Sequence, residues 1–187
     1  MSSQKRRRAV FLDRDGTLNV DTGFVSHPQD VRLIDGAAEG ARRLAQAGYL
    51  LVITSNQSGI ARGVMTEQQA DAVDEALLAQ LRARDVRIAA VYRCPHLPGG
   101  RERAFAIECD CRKPKPGLLL RAAADLEIDL PSSWAIGDSE RDVQAGLAAG
   151  CRAVLLDGAA GVDDCRSDGV HVAANLLGAA RIIEGAP

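Results

Sequence analysis

Val10-Phe11-Leu12-Asp13-Arg14-Asp15-Gly16-Thr17 decides how the rest of this 187-residue chain is read. Three consecutive apolar residues that stop abruptly at charge predict a short buried β-strand. Two carboxylates placed two residues apart at a strand end can point into one cleft. Their mutual repulsion is costly unless a cation neutralises it. A hard cation that takes oxygen ligands, such as Mg²⁺, meets that need. Gly16 permits the sharp backbone turn that follows. A turn rich in aspartate explains a lone Asp-x-Asp about as well, but the full string favours a metal-assisted site.

Working outward, short apolar runs alternate with helical patterns. Residues 37–47 read as a helix stopped by Gly48. Tyr49 to Thr54 is a second strand. Thr66 opens a long helix to about Arg84, with Gln69 three residues on as in a capping box. Val86 to Tyr92 is predicted as a strand, and Pro116 starts a helix through about Leu126. Trp134 to Ile136 and Arg152 to Leu156 are further strands, with a helix from Arg141 to Ala149 ended by Gly150 between them. Asn175 to Glu184 is the last helix. This order predicts an α/β fold with a mainly parallel sheet and helices on both faces. Ligands of such folds bind outside the carboxyl ends of the strands. There the sequence places Ser55-Asn56-Gln57-Ser58 after the second strand and Asp138, a third strand-end acid, after Ile136-Gly137. Asp142 reads as a supporting group or a favourable charge at a helix start.

Composition narrows the class. Apolar residues make up 47%, charged residues 26% and aromatics 3%, and 25 acidic residues offset 23 basic ones. These values fit one globular domain over residues 1–187, with a net charge of -2 that gives no reason to expect a nucleic-acid partner. The run Lys5 to Arg8 reads as a flexible, solvated lead-in over residues 1–8. No apolar stretch spans a bilayer and no secretory core follows the basic start. The expectation is a cytoplasmic monomer acting on a small phosphorylated metabolite, with no membrane partner.

Three of the five cysteines cluster. Cys94, His96, Cys109 and Cys111 supply three thiolates and an imidazole, a complete tetrahedral set for Zn²⁺. Four protein ligands leave no open position, so such a metal would be structural. The loop between the pairs carries Pro98, Gly99 and Gly100. Cys151 and Cys165 stand apart and read as packing residues. His27 and His171 have no evident partners.

The strand followed by Asp-Arg-Asp-Gly-Thr resembles the haloacid dehalogenase (HAD) superfamily of phosphatases. The resemblance implies that Asp13 is the nucleophile, forming an aspartyl phosphate, and that Asp15 is the general acid and base. It implies a phosphate-binding hydroxyl at Ser55, with Thr54 as the alternative. It also implies a phosphate-neutralising lysine at Lys113, beside a substrate-holding Arg112. Mg²⁺ would lie between the Asp13 side chain, the Asp15 backbone carbonyl and the Asp138 side chain.

The strings DRDGTLNVDTGFV, SNQSGIARG and CRKPKPG, with the zinc loop, narrow the resemblance over residues 9 to about 157. They are similar to the D-glycero-D-manno-heptose 1,7-bisphosphate 7-phosphatase branch. That implies substrate contacts from Asp21, Thr22, Gly23 and Phe24, from Asn56, Gln57 and Ser58, and from Arg112 and Ser139. Some relatives carry Lys where this chain has Ser139, which removes a charge from the second phosphate. No large cap domain fits between the motifs, so specificity would come from loops. The nearest rival is a histidinol-phosphate phosphatase. More distant ones are a DNA 3′-phosphatase and an inert zinc-stabilised interaction module. Residues 158–187 carry no legible chemistry.

Overall fold

The computed structural model describes residues 7–158, 164–166 and 170–186, with only the backbone at 164 and 165. Lys5, Arg6 and the side chain of Cys165, read above as lead-in and packing residues, lie outside the described residues.

The first apolar run forms strand β1, Ala9–Leu12, and all four of its residues are buried. Burial on both faces is what a central parallel strand requires. Val10 and Leu12 belong to the larger core, and Ala9 and Phe11 to a second one. The remaining strands are β2 Leu50–Asn56, β3 Ala90–Cys94, β4 Trp134–Gly137, β5 Arg152–Leu156, β6 Asp164–Cys165 and β7 His171–Ala173. They form one sheet in the order β3-β2-β1-β4-β5-β7-β6, parallel except for the antiparallel β6. Helices α1 Ala37–Gln46, α2 Glu67–Arg82 and α5 Leu176–Gly185 pack Leu44, Val73, Leu77, Leu81 and Ile183 into the larger core. Helices α3 Gly117–Leu126 and α4 Glu140–Ala149 cover the other face through Leu118, Leu119, Ala122 and Ala145. The loops 13–36 and 95–116 are the long connections, and they follow the carboxyl ends of β1 and β3.

Local signals worked where the chemistry is local. The α2 capping box forms in both directions: Gln69 N donates to Thr66 Oγ1 at 3.1 Å and Thr66 N to Gln69 Oε1 at 2.8 Å. Gly48 and Gly150 take φ of 88° and 90° at the ends of α1 and α4. Asn175 caps α5, its side-chain oxygen accepting from Gly178 N at 3.0 Å.

Three readings need correction. The third strand is not Val86 to Tyr92 but Ala90–Cys94. Val86 is buried at the end of α2, its N–H bonded to Leu81 O at 3.0 Å, so its apolarity serves the core and not the sheet. The ladder runs on through Arg93 and Cys94 because β2 extends to Asn56 and offers partners that far. β6 and β7 were not foreseen: they are two and three residues long, and pairing with neighbours defines them. Finally, Arg7 and Arg8 are exposed but held. Arg7 donates to Leu126 O at 2.6 Å, and Arg8 bonds Ala47 O and lies 4.2 Å over the Tyr49 ring. No helix among the described residues is long and apolar enough to cross a membrane.

Candidate active site

β1 and β4 are neighbours in the sheet, and the chain winds outward from them in opposite directions. A crevice opens at the carboxyl ends of such a strand pair. Asp13 follows β1 and Asp138 follows β4; Asp13 N still bonds Ile136 O at 2.9 Å, so the two strand ends stay in register. The cleft here measures about 230 Å³ and is lined by all three motif acids together with Ser55 and Lys113. A more voluminous groove lies at the opposite ends of the strands, among Arg7, Arg8 and Arg152, and holds none of the motif residues.

Lys113 is the hub. Lys113 is 3% exposed, and its ammonium lies 2.6 Å from Asp13 Oδ1, 2.6 Å from Thr54 O and 2.7 Å from Asp142 Oδ1. A buried ammonium is tolerated only when paired in this way. The two carboxylates keep Lys113 charged, raising its pKa although burial pulls the other way. Asn56 fixes the backbone that carries the lysine, accepting from Lys113 N and donating to Lys113 O, both at 3.0 Å. Thr54 therefore contributes its carbonyl, while Ser55 is the residue that lines the cleft.

Asp13, Asp138 and Asp142 offer carboxylate oxygens that all lie within 4.8 Å of one another. Burial pushes the Asp13 carboxyl up to about 6 against the pull of Lys113, and Asp142 and Asp15 add to the rise. Burial and Asp142 also raise Asp138. A divalent cation among these oxygens would remove that strain, and an all-oxygen donor set suits Mg²⁺. Gly16 makes room for the Asp138 carboxylate: at φ 81°, a Cβ here would lie 2.0 Å from Asp138 Oδ2. Asp142 has other duties. Besides Lys113, its Oδ2 accepts from Ser139 N at 3.2 Å at the start of α4.

The Asp15 side chain is turned from the acid cluster and saturated with donors. Arg14 Nη2 and Gln57 Nε2 each reach Oδ2 at 2.8 Å, and Asn19 Nδ2 reaches Oδ1 at 2.9 Å. Gln57 Nε2 also donates to Ser55 Oγ at 2.7 Å. Asn56 and Gln57, read from sequence as substrate contacts, thus also hold Lys113 and Asp15 in place. Asp21, Gly23, Phe24, Ser58 and Arg112 line the cleft as well; Thr22 and Ser139 do not. Arg62 and Arg141 line it and were missed. Arg62 stood in the SNQSGIARG string, but nothing local says that it turns back over Phe24, whose ring centroid is 6.0 Å from its guanidinium.

The cysteine cluster forms beside the cleft. Cys94 ends β3, and Cys109 and Cys111 return on the loop. Sγ–Sγ distances of 3.5 Å and 3.2 Å, and His96 Nδ1–Sγ distances of 3.8 Å and 3.3 Å, enclose a common centre. A tetrahedron with Zn–S bonds of about 2.3 Å has edges of about 3.8 Å, so the four groups fit zinc. Burial pushes the Cys94 and Cys111 thiols up, and a bound metal would draw their protons off. Arg112 Nη1 donates to His96 O at 3.2 Å, which joins the cysteine loop to the cleft. Cys151 is a buried packing residue, its thiol pushed up to about 12 by burial.

A HAD-hydrolase-like family model matches residues 110–179. Together with its curated phosphatase relatives, this makes the chain a phosphoric monoester hydrolase of the HAD class. Two curated proteins named D-glycero-beta-D-manno-heptose-1,7-bisphosphate 7-phosphatase are close in sequence. That of Escherichia coli K12 is 47% identical over 141 residues, covering 75% of this chain and 74% of the relative. That of Pasteurella multocida is 39% identical over 181 residues, covering 96% and 98%. The crystal structure of D,D-heptose 1,7-bisphosphate phosphatase from B. bronchiseptica, complexed with magnesium and phosphate, superposes with a TM-score of 0.82 at 31% identity, covering 96% and 99%. The chain belongs to this family of heptose bisphosphate phosphatases.

Proposed function

We propose that this chain hydrolyses the 7-phosphate of D-glycero-D-manno-heptose 1,7-bisphosphate through an aspartyl phosphate on Asp13. One observation carries the reading: the Asp13 carboxylate lies 2.6 Å from a buried lysine at the floor of a cleft that Arg62, Arg112 and Arg141 also line. A carboxylate oxygen attacks phosphorus as the bond to the sugar oxygen breaks. Asp15 gives that oxygen its proton. Asp15 then takes a proton from the water whose oxygen attacks the phosphoryl group, which frees inorganic phosphate and restores Asp13. Splitting the displacement in two lowers each barrier, and a positioned acid/base contributes about 10²–10⁴-fold.

Lys113 neutralises the transferring phosphate, and Ser55 Oγ binds one of its oxygens. Asp13, Asp138 and the Asp15 backbone carbonyl hold Mg²⁺, which supplies charge neutralisation and orientation when bound. The Cys94, His96, Cys109 and Cys111 set holds Zn²⁺ as a structural ion. We place the reaction in the cytoplasm, where thiols stay reduced and available to metal.

Three arginines at one cleft favour a substrate that carries a second phosphate. Histidinol phosphate carries one phosphate and a cationic amine, which the same arginines repel. Ser58, Asp21, Gly23 and Phe24 then face the sugar. A panel of heptose bisphosphate, histidinol phosphate and a 3′-phosphorylated oligonucleotide tests this. We expect kcat/KM for the bisphosphate to lead by at least about 10-fold, since a second phosphate gains charge-assisted hydrogen bonds from these arginines and histidinol phosphate does not. Equal or reversed values would remove the substrate assignment and leave the phosphatase class intact.

Zinc removal gives a second test. Arg112 and Lys113 directly follow the ligand Cys111, and Arg112 donates to His96 O, so loss of the metal loosens the loop that carries both cations, Arg112 more than the separately held Lys113. Second-sphere support of this kind is worth about 10–100-fold. A zinc-free protein, verified by metal analysis, should show both a lower kcat and a higher KM; unchanged values of both would contradict the link.

A further inference from the structure

Asp74 lies in the middle of α2, 7% exposed, between Val73 and Leu77 of the larger core. Aspartate is a poor residue for a helix interior and is rarely buried unless paired. Here it is paired twice. Its Oδ1 accepts from Arg14 Nη1 at 2.9 Å and its Oδ2 from Arg93 Nη1 at 3.0 Å. Arg93 continues outward to Asp71 on the same helix. Arg14, whose side chain is 1% exposed, turns its other edge to Asp15, with Nη2 2.8 Å from Oδ2 and Nε 3.2 Å from each oxygen. A continuous file of alternating charge thus runs from the end of β3, across α2, to the side chain that handles the proton. A guanidinium gripped on both edges has one orientation, and a forked grip transmits that orientation to the carboxylate.

We propose that Asp74 and Arg93 are positioning residues for the reaction, acting through Arg14 to aim the Asp15 carboxyl at the leaving oxygen. This rests on the aspartyl-phosphate reaction assigned above. It differs from a merely structural role in what it protects. Leaving oxygens of a sugar need a proton as the P–O bond breaks, whereas p-nitrophenolate leaves without one. Aim of the acid therefore matters for the first substrate and little for the second.

The experiment measures the first-turnover release of the leaving group, before hydrolysis of the common intermediate enters. Asp74→Asn keeps size and an acceptor but removes the charge between the two arginines. Release of heptose 1-phosphate from the bisphosphate should slow about 10- to 100-fold, the usual cost of a misplaced catalytic group. Release of p-nitrophenol from p-nitrophenyl phosphate should slow by about threefold or less, because it draws little on the acid. KM for both should stay near that of the parent. Arg93→Gln, a change at the outer end of the file, should give the same pattern in weaker form and covers the case of an Asp74 variant that does not fold. Equal slowing with both substrates, or no slowing with either, overturns the proposal. Asp13→Asn serves as the control: release that persists there would refute the covalent reaction itself and not the aim of its acid.

Discussion

Asp13→Asn is expected to lower turnover by at least about 10⁴-fold, since loss of a covalent nucleophile removes the route and not one contact. The same change should leave the fold in place. Asp13 is buried, and burial together with Asp142 and Asp15 pushes its carboxyl up to about 6, so the charge is there at a cost to stability. A neutral amide of the same shape relieves that cost. It weakens one contact of Lys113, but the ammonium keeps Asp142 Oδ1 at 2.7 Å and Thr54 O at 2.6 Å. The two effects oppose each other, so Tm should stay within about 4 °C of the parent, a shift that corresponds to roughly 1 kcal/mol or less. Intact-mass measurement during turnover should find a phosphoryl adduct on the parent protein and none on the variant. Full activity in Asp13→Asn would remove the nucleophile, and with it the mechanism.

Lys113→Met should damage both activity and stability, and the contrast with Asp13 is instructive. Methionine fills a similar volume but carries no charge. Two carboxylates, Asp13 and Asp142, then lose the ammonium between them in a site where both are buried. Breaking a buried pair by removing one partner costs about 3–5 kcal/mol. For a chain of this length that is a Tm lower by roughly 6–20 °C. On the proposed mechanism the chemical loss adds to this, because the lysine would also neutralise the phosphate as its charge shifts. Removing one preorganised group of this kind costs about 10²–10³-fold in kcat. A melting curve and initial rates at saturating substrate check both. A variant that melts with the parent would show that these acids do not depend on Lys113.

The class of fold and the place of the site were legible because their signals are local. An apolar run that stops at Asp13-Arg14-Asp15 announces a strand end by composition alone. Asp138 after Ile136-Gly137 does the same, and so do Thr66 and Gln69 at a helix start. The Cys/His cluster was legible for a related reason: Cys and His in tight pairs have few other uses in a small loop. In each case the partners are neighbours in sequence, or the residue type itself narrows the chemistry.

What the sequence determined by itself was the alternation of strands and helices, the strand-end acids and the metal-binding residue types. Tertiary structure alone decided the pairings: Asp142 on Lys113, Asp74 between Arg14 and Arg93, Arg62 and Arg141 at the cleft, and β3 shifted to Ala90–Cys94. The physical reason is that periodicity reports which face of an element is apolar, whereas an ion pair or a ladder partner depends on which distant element is laid beside it. A buried aspartate on α2 and a solvated one look alike in sequence, and only an arginine arriving from another strand tells them apart.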